Sequence, residues 1–164
     1  MATSTLLQCL NDDAAMGASM AASGNRRSTE VFLAKETLLV GDWVAFDFGA
    51  TGDGDVVLGV YKADANSSPV RTPFGVVVGS KEQEGTLTAG SRVEVAISGV
   101  VDAFTLDASG SGMAIGSLLQ ISNTAGQVDA ASAASAQPIC GILAETVAAA
   151  AGAGLRRVVV RRSF

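Results

Sequence analysis

The chain has 164 residues, of which 48% are apolar and only 5% aromatic, and it carries a net charge of −5 with no histidine. The missing histidine removes Ser-His and Cys-His nucleophile pairs, the commonest general base and the commonest metal ligand. The acidic balance argues against nucleic acid as a partner, because that affinity rests on Lys and Arg neutralising phosphates.

The length suits one domain, able to bury roughly 70% of the surface its unfolded form exposes. Residues 1–28, "MATSTLLQCLNDDAAMGASMAASGNRRS", are rich in Ala, Ser and Met. Gly17 weakens a short helix over Leu6–Ala22, and the stretch reads as an extended N-terminal arm. The first basic residue is Arg26, and the early apolar run around Leu6–Leu10 is broken by Gln8, a poor signal peptide. No window approaches the ~20 apolar residues that a membrane helix needs. The expectation is synthesis in a reducing cytoplasm and no membrane partner. Arg26 and Arg27 stand at the base of the arm, where they either pin it to an acidic surface or are solvated.

From residue 29 to 164 the signals are those of a single β domain. "TEVFLA" is a first strand. In "WVAFDF", Val44, Phe46 and Phe48 alternate with Trp43, Ala45 and Asp47. "GATGDGD" is a turn cluster, followed by "VVLGVYK" and, after a polar loop, "PFGVVVGS". In "RVEVAIS", Val93, Val95 and Ile97 face one way, the period of two that one buried face demands. "LLQIS", "QPICGILAE" and "LRRVVVRR" complete about eight or nine short strands. Their spacing, with Gly, Asp, Asn or Ser between them, predicts an all-β barrel or sandwich. The Ala runs "AASAASAQ" and "ETVAAAAGAG" are too short for stable helices and read as loops with at most a helical turn.

Two echoes run through the chain. "AGSRVEVAISGVVDA" and "IGSLLQISNTAGQVDA" share a Gly-Ser start, an aliphatic run, a glycine turn and a Val-Asp-Ala close. "TPFGVVVG" and "QPICGILAE" share a proline, a glycine and an aliphatic return. Either the chain holds two related units, or a glycine-rich β protein produces such echoes by chance.

Chemistry-bearing groups are sparse. Asp42, Asp47, Asp53 and Asp55 would have to gather to hold a hard cation, but no EF-hand pattern is present and D-x-D with glycine is ordinary turn chemistry. "GSGMAIG" lacks both the P-loop lysine and a βαβ setting. Cys9 and Cys140 are the two cysteines; a disulfide between them is one arrangement, and a buried free thiol suits Cys140 better. Trp43 and Tyr61 are isolated and make no stacking row, so core or interface packing is expected. No catalytic residue, cofactor or metal ligand is assigned, and the chain is not read as an enzyme. Arg156, Arg157, Arg161 and Arg162 crowd the last ten residues, suiting a solvated strand edge or a seam against an acidic partner. With Arg26, Arg27 and Trp43 they form the candidate interface.

"GDWVAFDF", "PFGVVVGS", "AGSRVEVAISGVV", "IGSLLQISNTAGQV", "QPICGILAET" and "LRRVVVRR" together resemble the decoration (cement) proteins of tailed-bacteriophage capsids, over about residues 38–162. The resemblance implies a compact β-barrel or β-tulip. It further implies a homo-oligomer, with a trimer favoured over a dimer, seated on the major capsid protein at the outside of the virion, and an arm engaging capsid subunits or neighbouring copies. A head-fibre, tail or host-adhesion component is the alternative.

Overall fold

The computed structural model describes residues 27–46, 59–80, 86–132 and 137–160. They form eleven strands: β1 (Ser28–Ala34), β2 (Leu38–Leu39), β3 (Trp43–Phe46), β4 (Gly59–Lys62), β5 (Gly75–Gly79), β6 (Thr86–Leu87), β7 (Arg92–Leu106), β8 (Leu118–Ile121), β9 (Val128–Ala130), β10 (Ile139–Leu143) and β11 (Gly154–Val160). Nine make one sheet in the order β1-β4-β3-β5-β7-β11-β10-β8-β9, and β2 pairs only with β6. No helix occurs among the described residues. The all-β expectation of eight or nine principal strands is met.

Two further pairings, β1 with β7 and β7 with β9, close this sheet twice. β1-β4-β3-β5-β7 forms one ring and β7-β11-β10-β8-β9 a second. Strand β7 belongs to both. Its first half pairs with β1 and β5, and its second half pairs with β11 and β9. Closure removes the open edges at which flat sheets aggregate. Gly99, at φ 102, lies where β7 leaves the first ring for the second. The glycine turn expected there does not form: fifteen residues run on as one strand.

Each ring has a filled interior. The first holds Phe32, Val44, Val60, Val77, Val93, Val95 and Ile97, closed over by Leu38, Leu87 and Phe74. Phe46 stacks on Phe74 at 4.0 Å, and Phe32 meets both edge-on. The second holds Val101, Ala103, Leu119, Ile121, Val128, Cys140, Leu143, Val158 and Val160, with Met113 and Val147.

The two rings are one design written twice. In the first, Trp43 pairs with Val76 and Val44 with Gly75; in the second, Leu118 pairs with Ile142 and Leu119 with Gly141. Val76↔Ala96 and Val77↔Val95 are matched by Ile142↔Val159 and Leu143↔Val158. The parallel closure Ala34↔Val60 is matched by Thr105↔Val128. The Leu38↔Leu87 pair is matched by the Met113↔Val147 bridge. Hence "LLVGDWVAF" corresponds to "MAIGSLLQI", with Gly41 (φ 99) and Gly116 (φ 87) at the same turn. The Pro-x-Gly echo is a true repeat. The Gly-Ser echo is not, because Gly90-Ser91 opens β7, the closing strand of the first ring, whereas Gly116-Ser117 opens β8.

Candidate interaction surfaces

The joint between the rings is built from backbone and one buried acid. Trp43 N donates to Gly126 O at 2.9 Å, Gly126 N to Ala63 O at 2.8 Å, and Ala63 N to Trp43 O at 2.8 Å. Trp43, fully buried, projects from the outside of the first ring into the second, where a Cβ on Gly141 would stand 3.0 Å from its Cη2. This removes Trp43 from the interface candidates. Its indole fills the core that joins the units and offers nothing to an outside partner.

Asp42 sits at the same joint. Its Oδ2 accepts from Leu39 N at 2.8 Å and lies 3.1 Å from Lys62 Nζ. Burial raises its pKa above the usual 3.8, outweighing the Leu39 N–H and the Lys62 ammonium. A Cβ on Gly126 would meet Asp42 Oδ1 at 2.7 Å, so glycine is required where the turn crosses the acid. Asp107 behaves oppositely. Its carboxylate accepts from Gly112 N at 2.7 Å and Ser109 Oγ at 2.9 Å, and the Gly112 N–H leads in holding its pKa below the usual value. Both acids are thereby committed to structure. Asp47, Asp53 and Asp55 lie outside the described residues, as do Cys9, Arg26, Arg161 and Arg162.

Arg27 lies immediately before β1 and is exposed. Arg157 stands on β11 with its Nε 3.8 Å from Asp102 Oδ1, and both side chains are mostly solvated, so the pair adds little stability. Arg156 donates to the Leu155 carbonyl at 3.2 Å, but its Nε is buried without a partner. Arg156 and Arg157 are neighbours on one strand; Arg27 belongs to the other ring. The register nevertheless brings the start of β1 and the end of β11 to adjacent residues of β7, with Ser28 facing Ser98 and Val160 facing Gly99. Cys140 donates its thiol to Leu119 O at 3.2 Å, and burial pushes its pKa up to about 12. It is the inert core thiol that its apolar surroundings predict.

A polar hollow of about 310 Å³ opens between Leu106, Gln120, Asn123 and Asp129. Among the described residues no cluster of His, Cys, Asp or Glu is arranged to hold a metal ion.

Sequence reasoning missed one feature: a row of aliphatic residues on the outside of the second ring, Leu118, Ile142 and Val159. Taken alone they are ordinary strand residues. Only their equivalence to Trp43, Val76 and Ala96 marks them.

The chain matches no protein-family profile, and no curated protein sequence matches it. Among solved structures it is similar to a chain in the capsid of Myoviridae Phage XM1, with a TM-score of 0.56 and 17% identity over 86% of this chain and 87% of that one. It is also similar to the head fibre gp8.5 N base of bacteriophage phi29, with a TM-score of 0.49 and 16% identity over 84% of this chain and 97% of that one. At such identities the XM1 capsid chain shares the fold with this protein, which defines its class as a small closed β-barrel protein with added strands.

Proposed function

We propose that this chain is a non-catalytic structural protein of a phage virion, seated as an oligomer on the outside of the capsid, where it stabilises the shell. The observation that supports this most is the doubled barrel. The first interior is filled by Val, Leu and Phe and the second by Val, Leu and Ile, and the buried acids Asp42 and Asp107 accept from backbone donors. Side chains spent this way give a stiff block and leave contact as the protein's work. The likeness of fold to a chain of a phage capsid points the same way.

In this reading residues 1–28 form an arm reaching capsid subunits or neighbouring copies, and residues 29–164 form the block. Ordering an arm on a neighbour extends the contact at an entropic cost. Shell symmetry multiplies each contact, so modest affinity per site suffices. The net charge of −5 keeps decorated particles apart. Partners are the major capsid protein and further copies of this chain, with a trimer favoured; neither nucleic acid nor membrane is contacted. Particles made without the protein provide the test. Adding it back raises the temperature at which they release DNA, and an unchanged release temperature overturns the proposal.

A further inference from the structure

The repeat gives every position in the second unit a counterpart in the first, so the two units can be compared for what covers them. On the outer face of the first ring, register aligns Trp43, Val76 and Ala96 across β3, β5 and β7. All three are 0% exposed, because the second unit is built onto that face. The equivalent row of the second unit is Leu118, Ile142 and Val159 across β8, β10 and β11. Among the described residues none is built onto it as the second unit is built onto the first. Leu118 is 46% exposed, and Ile142 and Val159 are half-buried.

We propose that this outer face of the second unit is a self-association surface that packs against the same face of neighbouring copies of the chain around their common symmetry axis. Three observations select that occupant. The first is equivalence with the existing joint: the counterpart row, Trp43, Val76 and Ala96, is already buried by a further unit of this same chain. The second is charge. Along β11 and β7 the face also carries Arg157 opposite Asp102, 63% and 65% exposed, one charge of each sign. A symmetric contact presents the same patch from both sides, so it needs a face that complements itself; a strongly acidic or basic partner would not find its match here. The third is shape. A hollow of about 350 Å³ lies beside Leu118, bounded by Ala131 and Ile139. The turn immediately before it projects Ile115, 65% exposed. Knob and hollow lie within a few residues of each other, as a self-complementary surface requires. Gln120, two residues after Leu118 on the same strand, has its Oε1 buried without a hydrogen-bond partner in the isolated chain.

The inference rests on the reading of this chain as a self-associating structural protein and locates its self-contact; attachment to a shell plays no part in it. Sedimentation velocity of the full chain over a concentration series tests it. Wild type is expected to self-associate. Leu118→Glu and Ile115→Asp each weaken that association about 30-fold or more, the scale of a central contact residue. Val70→Glu, an exposed apolar residue in the loop after β4, leaves it unchanged. Emission from Trp43, the chain's single tryptophan, reports that every variant remains folded. Wild type that is monomeric throughout, or both face variants assembling as wild type does, overturns the proposal. A wild type that self-associates through this face yet ignores capsid shells sinks the proposed function alone, whereas an oligomer that binds shells and stays assembled in both face variants sinks this face alone.

Discussion

Replacing Trp43 by alanine tests whether the two rings are one cooperative body. The indole is fully buried at the joint, anchored by backbone in the first unit and packed in the core of the second. Burying about 150–250 Å² at about 25 cal/mol per Å² is worth about 4–6 kcal/mol, reduced somewhat by burial already present in the unfolded chain. Measured Trp-to-Ala losses of about 3–5 kcal/mol agree, so a loss of about 4 kcal/mol is expected. That is a large share of the about 5–15 kcal/mol that holds a domain folded. The assay is labelling of Cys140 by a disulfide reagent near pH 8 in a Cys9→Ser background. Cys140 is 2% exposed with its pKa pushed up to about 12, so it reacts only through an opened form. A loss of about 4 kcal/mol raises the open population, and with it the labelling rate, about 10³-fold. Trp43 is carried by the first unit, but its indole packs in the core cluster that holds Cys140, so the rate reports how firmly that shared core keeps the joint closed. A folded Trp43→Ala protein labelled within about threefold of wild type would refute the reasoning.

Trp43→Phe is expected to cost under about 1.5 kcal/mol in chemical denaturation, because Trp43 Nε1 has no hydrogen-bond partner to lose. Gly90 and Ala150 hold the same turn position in the two units, at φ 90 and φ 59. Gly90→Ala, with open space for its Cβ, should destabilise by about 1–2 kcal/mol through backbone strain alone; Ala150→Gly should raise the melting temperature, against the usual penalty for glycine. The two buried acids should give pH dependences of opposite sign. Asp42 has a raised folded pKa, so its contribution is present below the usual 3.8 and is lost as pH rises through the folded value. Wild-type stability minus that of Asp42→Asn should therefore fall with rising pH. Asp107 has a lowered folded pKa, so its contribution is present above the usual value and lost as pH falls. The corresponding difference for Asp107→Asn should rise with pH. Denaturant midpoints across pH check both signs.

Local pattern carried the strands well. The alternation in "RVEVAIS" is borne out: Val93, Val95 and Ile97 lie inside the first ring and Ala96 outside it. "WVAF" is apolar on both faces because Val44 and Phe46 pack in one core and Trp43 and Ala45 in the other; Asp47 and Phe48 lie outside the described residues. The loop reading of "ETVAAAAGAG" holds, with Val147 turned in as a plug opposite Met113. What failed was the reading of Gly99 as a turn. Glycine with a positive φ serves both a turn and a strand changing sheets, and sequence cannot separate them. Trp43 was ambiguous for a related reason: an amphipathic ring suits core and interface equally, and only the topology that sets the second unit on it decides. The aliphatic row at Leu118, Ile142 and Val159 was illegible because its meaning depends on which face the repeat covers once and leaves bare the second time.

The proposed function turns on whether this doubled barrel attaches to an assembled shell. Co-sedimentation of the purified protein with capsid shells assembled without it measures that directly. The account predicts saturable binding at a fixed number of copies per shell, with no comparable binding to free capsid subunits. Protein that stays in the supernatant at every concentration would contradict it.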